Sequence, residues 1–243
     1  MRRFLSAAAA CLAVSLAASL AFRAMPASAQ VVPTVTSITK PAAGTTILIA
    51  TPQASMNLLT TAGVDPKEEW NQNATKNIAS ALADALKARS YATEAVDPST
   101  YSDPHELQVL KLNDVVTSSL QSNIYQPLPT KTGFDWTLGE GAASLRPEGD
   151  ATPAAYILFI HADGNYSSGG RVMMGVLLAA ASGGNAGGQL MAGGTQILTG
   201  TLVDLNTGKV VWYNSISFLA TTDLRTPAGD TAGVASLLKT LPL

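Results

Sequence analysis

Sulfur and imidazole are the scarcest chemistry in this sequence: one cysteine, Cys11, and two histidines, His105 and His161, in 243 residues. Cys11 lies inside an apolar amino-terminal run, so the chain beyond it has no thiol for a disulfide, a metal or a nucleophile. Two histidines far apart in sequence do not form a ligand pair of zinc-site spacing. Charge is sparse as well, with 13% charged residues and a net charge of −2. No basic patch interrupts that mild acidity, which excludes an ordinary nucleic-acid binder. What is plentiful is alanine, glycine and aliphatic side chains: 47% of residues are hydrophobic, ample for a core.

The amino terminus has the layout of a secretory signal. Arg2 and Arg3 precede an apolar, alanine-rich run from Phe4 to Phe22, Pro26 breaks it, and Ala27-Ser28-Ala29 supplies small residues before Gln30. Cleavage between Ala29 and Gln30 is the expectation. The run is too weakly apolar to favour an uncleaved anchor, with Ser6, Ser15 and Ser19 inside it. Phe4 directly follows Arg3, which favours general secretion over twin-arginine export. Cys11 follows Ala8-Ala9-Ala10 inside the apolar run, so a lipid-modified cysteine is not expected. Removing residues 1–29 takes Arg2, Arg3 and Arg23 and no acid, leaving a more acidic product in the periplasm or outside the cell.

Residues 30–43, with Pro33 and Pro41, read as a flexible leader. Residues 44–243 read as one α/β (α+β) domain. Thr45–Ala50 is a short β-branched strand, with Met56–Leu59 a loose turn or edge segment. Asp65-Pro66 followed by Glu68 predicts a capped helix, continued by Trp70, Ala74, Ile78, Leu82 and Leu86 at four-residue spacing. After a strand at Tyr91–Val96, the same start signal recurs at Asp103-Pro104-His105-Glu106, with Val109, Leu112, Val116 and Leu120 as the buried stripe. Residues 126–150 form a long connection with ordered pieces expected at Phe134–Trp136 or Ala142–Leu145. Ala154–Ala162 is apolar on both faces, the mark of a central strand. Gln196–Asp204 and Lys209–Ala220 flank Leu205-Asn206-Thr207-Gly208 as a hairpin, and Thr226-Pro227 opens a final helix. The sum is a mixed sheet with helices packed mainly on one face and a terminal β-hairpin followed by a helix.

Candidate chemistry is thin. His161 and Asp163, two apart on a strand, face one side, but a metal site needs a third ligand and none is indicated. Ser167 and Ser168 in GNYSSGG do not form a nucleophile elbow. Gly183–Gly188 lacks the lysine and hydroxyl of a phosphate loop. Asp135-Trp136 and Trp212-Tyr213 read as packing before they read as a sugar platform. No pattern calls for a cofactor, and none fixes an oligomeric state. The unusual region is 171–194, a glycine-rich apolar insertion. Its run RVMMGVLLAAA is either a buried crossover helix or an apolar flap, with Met173, Met174, Val176, Leu177 and Leu178 contacting a partner or a membrane surface.

The stretch Thr201–Trp212, TLVDLNTGKVVW, resembles the VDLxTGxxVW hairpin of many bacterial periplasmic proteins and lipoproteins. These include uncharacterised proteobacterial envelope proteins and, more distantly, the amino-terminal domain of TolB and the curli-secretion lipoprotein CsgG. Asp223–Pro227 is similar to the uncharacterised group. The resemblance implies a non-enzymatic α/β envelope domain and carries over no catalytic residue. The expected role is therefore a binding or assembly module with an envelope protein partner. The alternative is a periplasmic hydrolase or small-ligand-binding enzyme with a site near His161.

Overall fold

The computed structural model describes residue 38 and residues 40–126, 129–130, 134–147, 153–182, 194–218 and 222–243. The expected signal peptide, the expected cleavage residues Ala27, Ala29 and Gln30, most of the expected leader and glycines 183–188 lie outside the described residues.

Seven strands form one mixed sheet: β1 (Thr46–Ala50), β2 (Gln53–Leu59), β3 (Val64–Pro66), β4 (Ala92–Val96), β5 (Tyr156–Ser167), β6 (Gln196–Asp204) and β7 (Val210–Phe218). The helices are α1 (Glu68–Lys87), α2 (Pro104–Tyr125), α3 (Gly169–Ala181) and α4 (Pro227–Leu237). The central strand is β5, as its two-sided apolar sequence requires. Along one edge it pairs in parallel first with β1 and then with β2; along the other it pairs antiparallel with β6. β1 and β2 are thus one line of chain interrupted at Thr51-Pro52. Ile47 stands opposite Tyr156 but Gln53 opposite His161, so one extra residue is accommodated at the break. Proline has no N–H to give the ladder, which is why the interruption falls there. Below it the line is flanked by β4, above it by β3. What the sequence suggested as a loose segment at Met56–Leu59 is therefore the upper half of that line.

The β6–β7 hairpin is present, with β6 over the expected Gln196–Asp204; β7 starts at Val210, one residue after the expected Lys209, and the expected end at Ala220 lies outside the described residues. Asp204 accepts from the Asn206 N–H at 2.8 Å, and Gly208 takes φ +67°, where a side chain would also run into the Gly139 carbonyl. The Gly139 segment crosses the hairpin base, with Leu138 N–H donating to Gly208 O at 2.7 Å and Val210 N–H to Trp136 O at 2.9 Å. Of the two alternatives for an ordered piece in the long connection, Ala142–Leu145 lies in a 3-10 turn at Glu140–Leu145, whereas Phe134–Trp136 has no regular secondary structure.

The two capping signals fare differently. At α2 the capping box forms as read, Asp103 and Glu106 each taking a backbone N–H. At α1 it does not: the helix starts at Glu68 after Lys67, and Asp65-Pro66 belongs to β3. Pairing of Asp65 with Leu58 and of Pro66 with Asn57, followed by Lys67 N–H to Met56 O at 2.9 Å, keeps the chain extended past the expected cap.

Side-chain alternation divides the sheet into two faces. On one, Ile47, Ile49, Leu158, Ile160, Leu198, Leu202, Trp212 and Ile216 meet α1 and α4 in a continuous apolar core. On the other, Leu48, Ala50, Ile157, Phe159, Val203 and Tyr213 meet α2 and the Glu140–Leu145 turn in a second core.

Candidate functional site

The second face changes character halfway along the strands. Where β5 passes from Phe159 to His161, its side chains on this face become His161, Asp163 and Asn165, opposite Gln53, Ser55 and Asn57 of β2. β6 contributes Thr199 and Ile197 at the same level. At this level a polar cleft opens beside α2. Its main volume, about 220 Å³, is lined by Gln53, Asp114, Thr117, His161, Asp163 and Thr199, among others. A narrower recess of about 60 Å³ shares Gln53, Asp114 and His161 and adds Asn113, Leu110 and Phe159.

Each polar group has a physical setting. Burial holds the His161 imidazole below its ordinary pKa, partly offset by the carboxylates of Asp114 and Asp163. Burial raises the Asp163 carboxyl, partly offset by His161. The Thr117 and Thr199 hydroxyls are engaged with strand hydroxyls, Thr201 at 3.4 Å and Ser215 at 3.0 Å. They are therefore held away from the role of a nucleophile activated by His161. Among the described residues no group of three or more histidine, cysteine or acidic side chains could hold a metal ion.

The expectation that His161 and Asp163 share one side is met, and the cleft supplies the acids that the enzyme alternative asked for. His105 stays exposed at the first turn of α2 and does not line the cleft. Ser168 is the amino-terminal cap of α3, accepting from Arg171 N–H at 3.2 Å. Trp212 and Tyr213 are core residues, one on each face. Missing from the sequence reading were Asn113, Asp114 and Thr117. Asn113 and Thr117 fall in phase with Val109, Val116 and Leu120, so they are buried on the sheet side of α2 while Leu112 turns outward. Two polar residues in phase with an apolar stripe were the available signal.

A second polar cluster ties the 222–226 loop to the first face. The Arg225 guanidinium grips Asp223 through two bonds of 2.9 and 2.8 Å and lies 4.0 Å from the Tyr166 ring centre and 4.9 Å from that of Trp70. The Tyr166 hydroxyl donates to Gln196 at 2.8 Å, and Gln196 in turn binds the backbone at Thr222 and Leu224. Nearby, between α1 and α4, Asp230 is fully buried with neither carboxylate oxygen hydrogen-bonded. Burial pushes its carboxyl up to about 7, partly offset by the Asn77 amide and reinforced by Asp223.

The third feature is α3. Thirteen residues long, it buries only Gly175. Met173 (60% exposed), Leu177 (58%), Met174, Val176 and Leu178 all face outward. These side chains are therefore exposed and not packed as a buried crossover helix. No helix among the described residues is long and apolar enough to cross a membrane.

No family model matches the chain, and no curated protein does. Among solved structures it is similar to the PelC dodecamer from Paraburkholderia phytofirmans, at 14% identity over 88% of this chain and 97% of that one, TM-score 0.37. It is also similar to lipoprotein GNA1162 from Neisseria meningitidis, at 14% identity over 80% and 95%, TM-score 0.32. The LpoB carboxyl-terminal domain from Salmonella enterica aligns at 16% identity over 74% and 85%, TM-score 0.27. Overlap this shallow assigns neither family nor role. TolB and CsgG are not among these three, and that part of the resemblance rests on the hairpin alone.

Proposed function

We propose that the chain is an exported envelope protein that works as a non-enzymatic binding or assembly module and engages a protein partner through α3. The observation that carries this reading is the exposure of five large apolar side chains on one short helix. Those side chains leave the helix without a polar face, and a helix apolar on all sides is normally covered on all sides. Helices that lie on a membrane surface instead carry a lysine- and arginine-rich polar face. The only charged residue of α3 is Arg171, so a protein groove is the better cover. The layout of residues 1–30 supports export.

Site-specific photocrosslinking from position 177 of the full chain, in cells, tests the proposal. A discrete protein adduct is expected, and it should disappear in a Met173→Lys/Leu177→Lys variant whose unfolding midpoint is unchanged. Crosslinking to lipid alone, or an adduct indifferent to the two lysines, would overturn it. The mass of the recovered protein also reports whether the mature chain begins at Gln30.

A further inference from the structure

The cleft beside α2 has a charge balance and a hydrogen-bond deficit that point the same way. Asp114 from α2 and Asp163 from β5 bring carboxylates to it from two separate elements. Among the described lining residues there is no lysine or arginine to balance them. Burial of the His161 imidazole works against a positive charge there. At the recess, Asn113 is only 2% exposed, and its Oδ1 has no hydrogen-bond partner. An unmet buried amide oxygen is unfavourable, and a ligand that brings an N–H donor relieves it.

Acceptors therefore outnumber donors at this site, and the ligand must supply donors and positive charge. A bare divalent ion does not suit it, because among the described residues no group of three or more histidine, cysteine or acidic side chains could hold one. A compact organic cation does. Leu110, Phe159 and Ile197 provide apolar wall for a short stem, and volumes of about 220 and 60 Å³ hold a side-chain-sized group rather than a large cofactor. We infer that the His161 cleft is a binding site for a primary alkylammonium group, with Asn113 supplying the inner acceptor and Asp114 and Asp163 the opposing charge. The ammonium can come from a free small amine or from a lysine side chain of a polypeptide. This site is separate from α3 and does not depend on the role proposed for that helix.

Titration of the full chain with n-butylammonium chloride, followed by the imidazole ring resonances in nuclear magnetic resonance, tests the inference. With only two histidines, His105 serves as the internal control. A saturable shift is expected at His161 and not at His105, and equal concentrations of sodium or tetramethylammonium chloride should not reproduce it. Asp114→Asn and Asp163→Asn, which keep the side-chain shape and remove the charge, should each weaken binding about tenfold, and the Met173→Lys/Leu177→Lys variant should leave it intact. Nα-acetyl-lysine amide separates the sources: binding tenfold tighter than butylammonium assigns the site to polypeptide lysine, and equal or weaker binding assigns it to a free amine. A shift that merely follows ionic strength, or that survives the double asparagine substitution, would overturn the inference.

Discussion

The two faces of the sheet are built from the same strands yet solve different problems. The face under α1 and α4 holds a continuous apolar core, with Gln196, Asn214 and Asp230 as its buried polar exceptions. The face under α2 is apolar only in its lower half; above Phe159 it turns polar and is left open beside the helix. A single strand carries both behaviours, because β5 alternates Leu158, Ile160 and Ala162 toward that core and Phe159, His161 and Asp163 toward the cleft. Stability is concentrated on one side, and the polar side chains that stability does not need are collected on the other.

The largest effect should come from breaking the continuous core. Leu158→Ala deletes a fully buried side chain, and the lost transfer energy plus the cavity should cost about 2–5 kcal/mol in urea unfolding.

Next is Asp230, the charge misplaced on the side of the continuous core. Its folded pKa of about 7 lies above the ordinary 3.8. Between those values the folded chain holds a proton that the unfolded chain has released, so stability falls as pH rises from about 4 to about 7. Asp230→Asn should remove that slope. At pH 8 it should raise stability by about 1–3 kcal/mol, the scale of an uncompensated buried polar group. Parallel unfolding curves at pH 5 and pH 8 check this, and an unchanged slope would refute it.

The smallest effect belongs to the open half. His161→Ala, on the same strand as Leu158, should shift unfolding by less than about 1 kcal/mol. A loss as large as that of Leu158→Ala would mean the cleft is part of the core and would erase the distinction between the faces.

Most of the continuous core was legible in the sequence because burial there obeys simple periods. The four-residue recurrence from Trp70 to Leu86 ends within a residue of the α1 terminus, and β6 spans the expected Gln196–Asp204. The open half was hard to read for the opposite reason. Asn113 and Thr117 occupy core phase in α2 without core chemistry, so the stripe appeared to run through Leu112. Asp65-Pro66 misled at α1 because its local capping preference competes with a β3–β2 pairing that only the folded chain supplies. The register between Gln53 and His161 joins residues too far apart in sequence for any local pattern to reveal, so the cleft had no signature beyond the His161–Asp163 pair.

The interrupted line of β1 and β2 also sets an order of assembly. Its parallel partner β5 lies about a hundred residues downstream, whereas β6 and β7 meet across a five-residue turn. Closing the longer loop sacrifices more chain entropy, so the terminal meander of β5, β6 and β7 can gather first and the early strands join late. In a chain delivered amino end first, Thr46–Ala50 emerges long before the strand it must join. During that interval its aliphatic edge is unpartnered, and successful folding depends on keeping it from pairing with other chains.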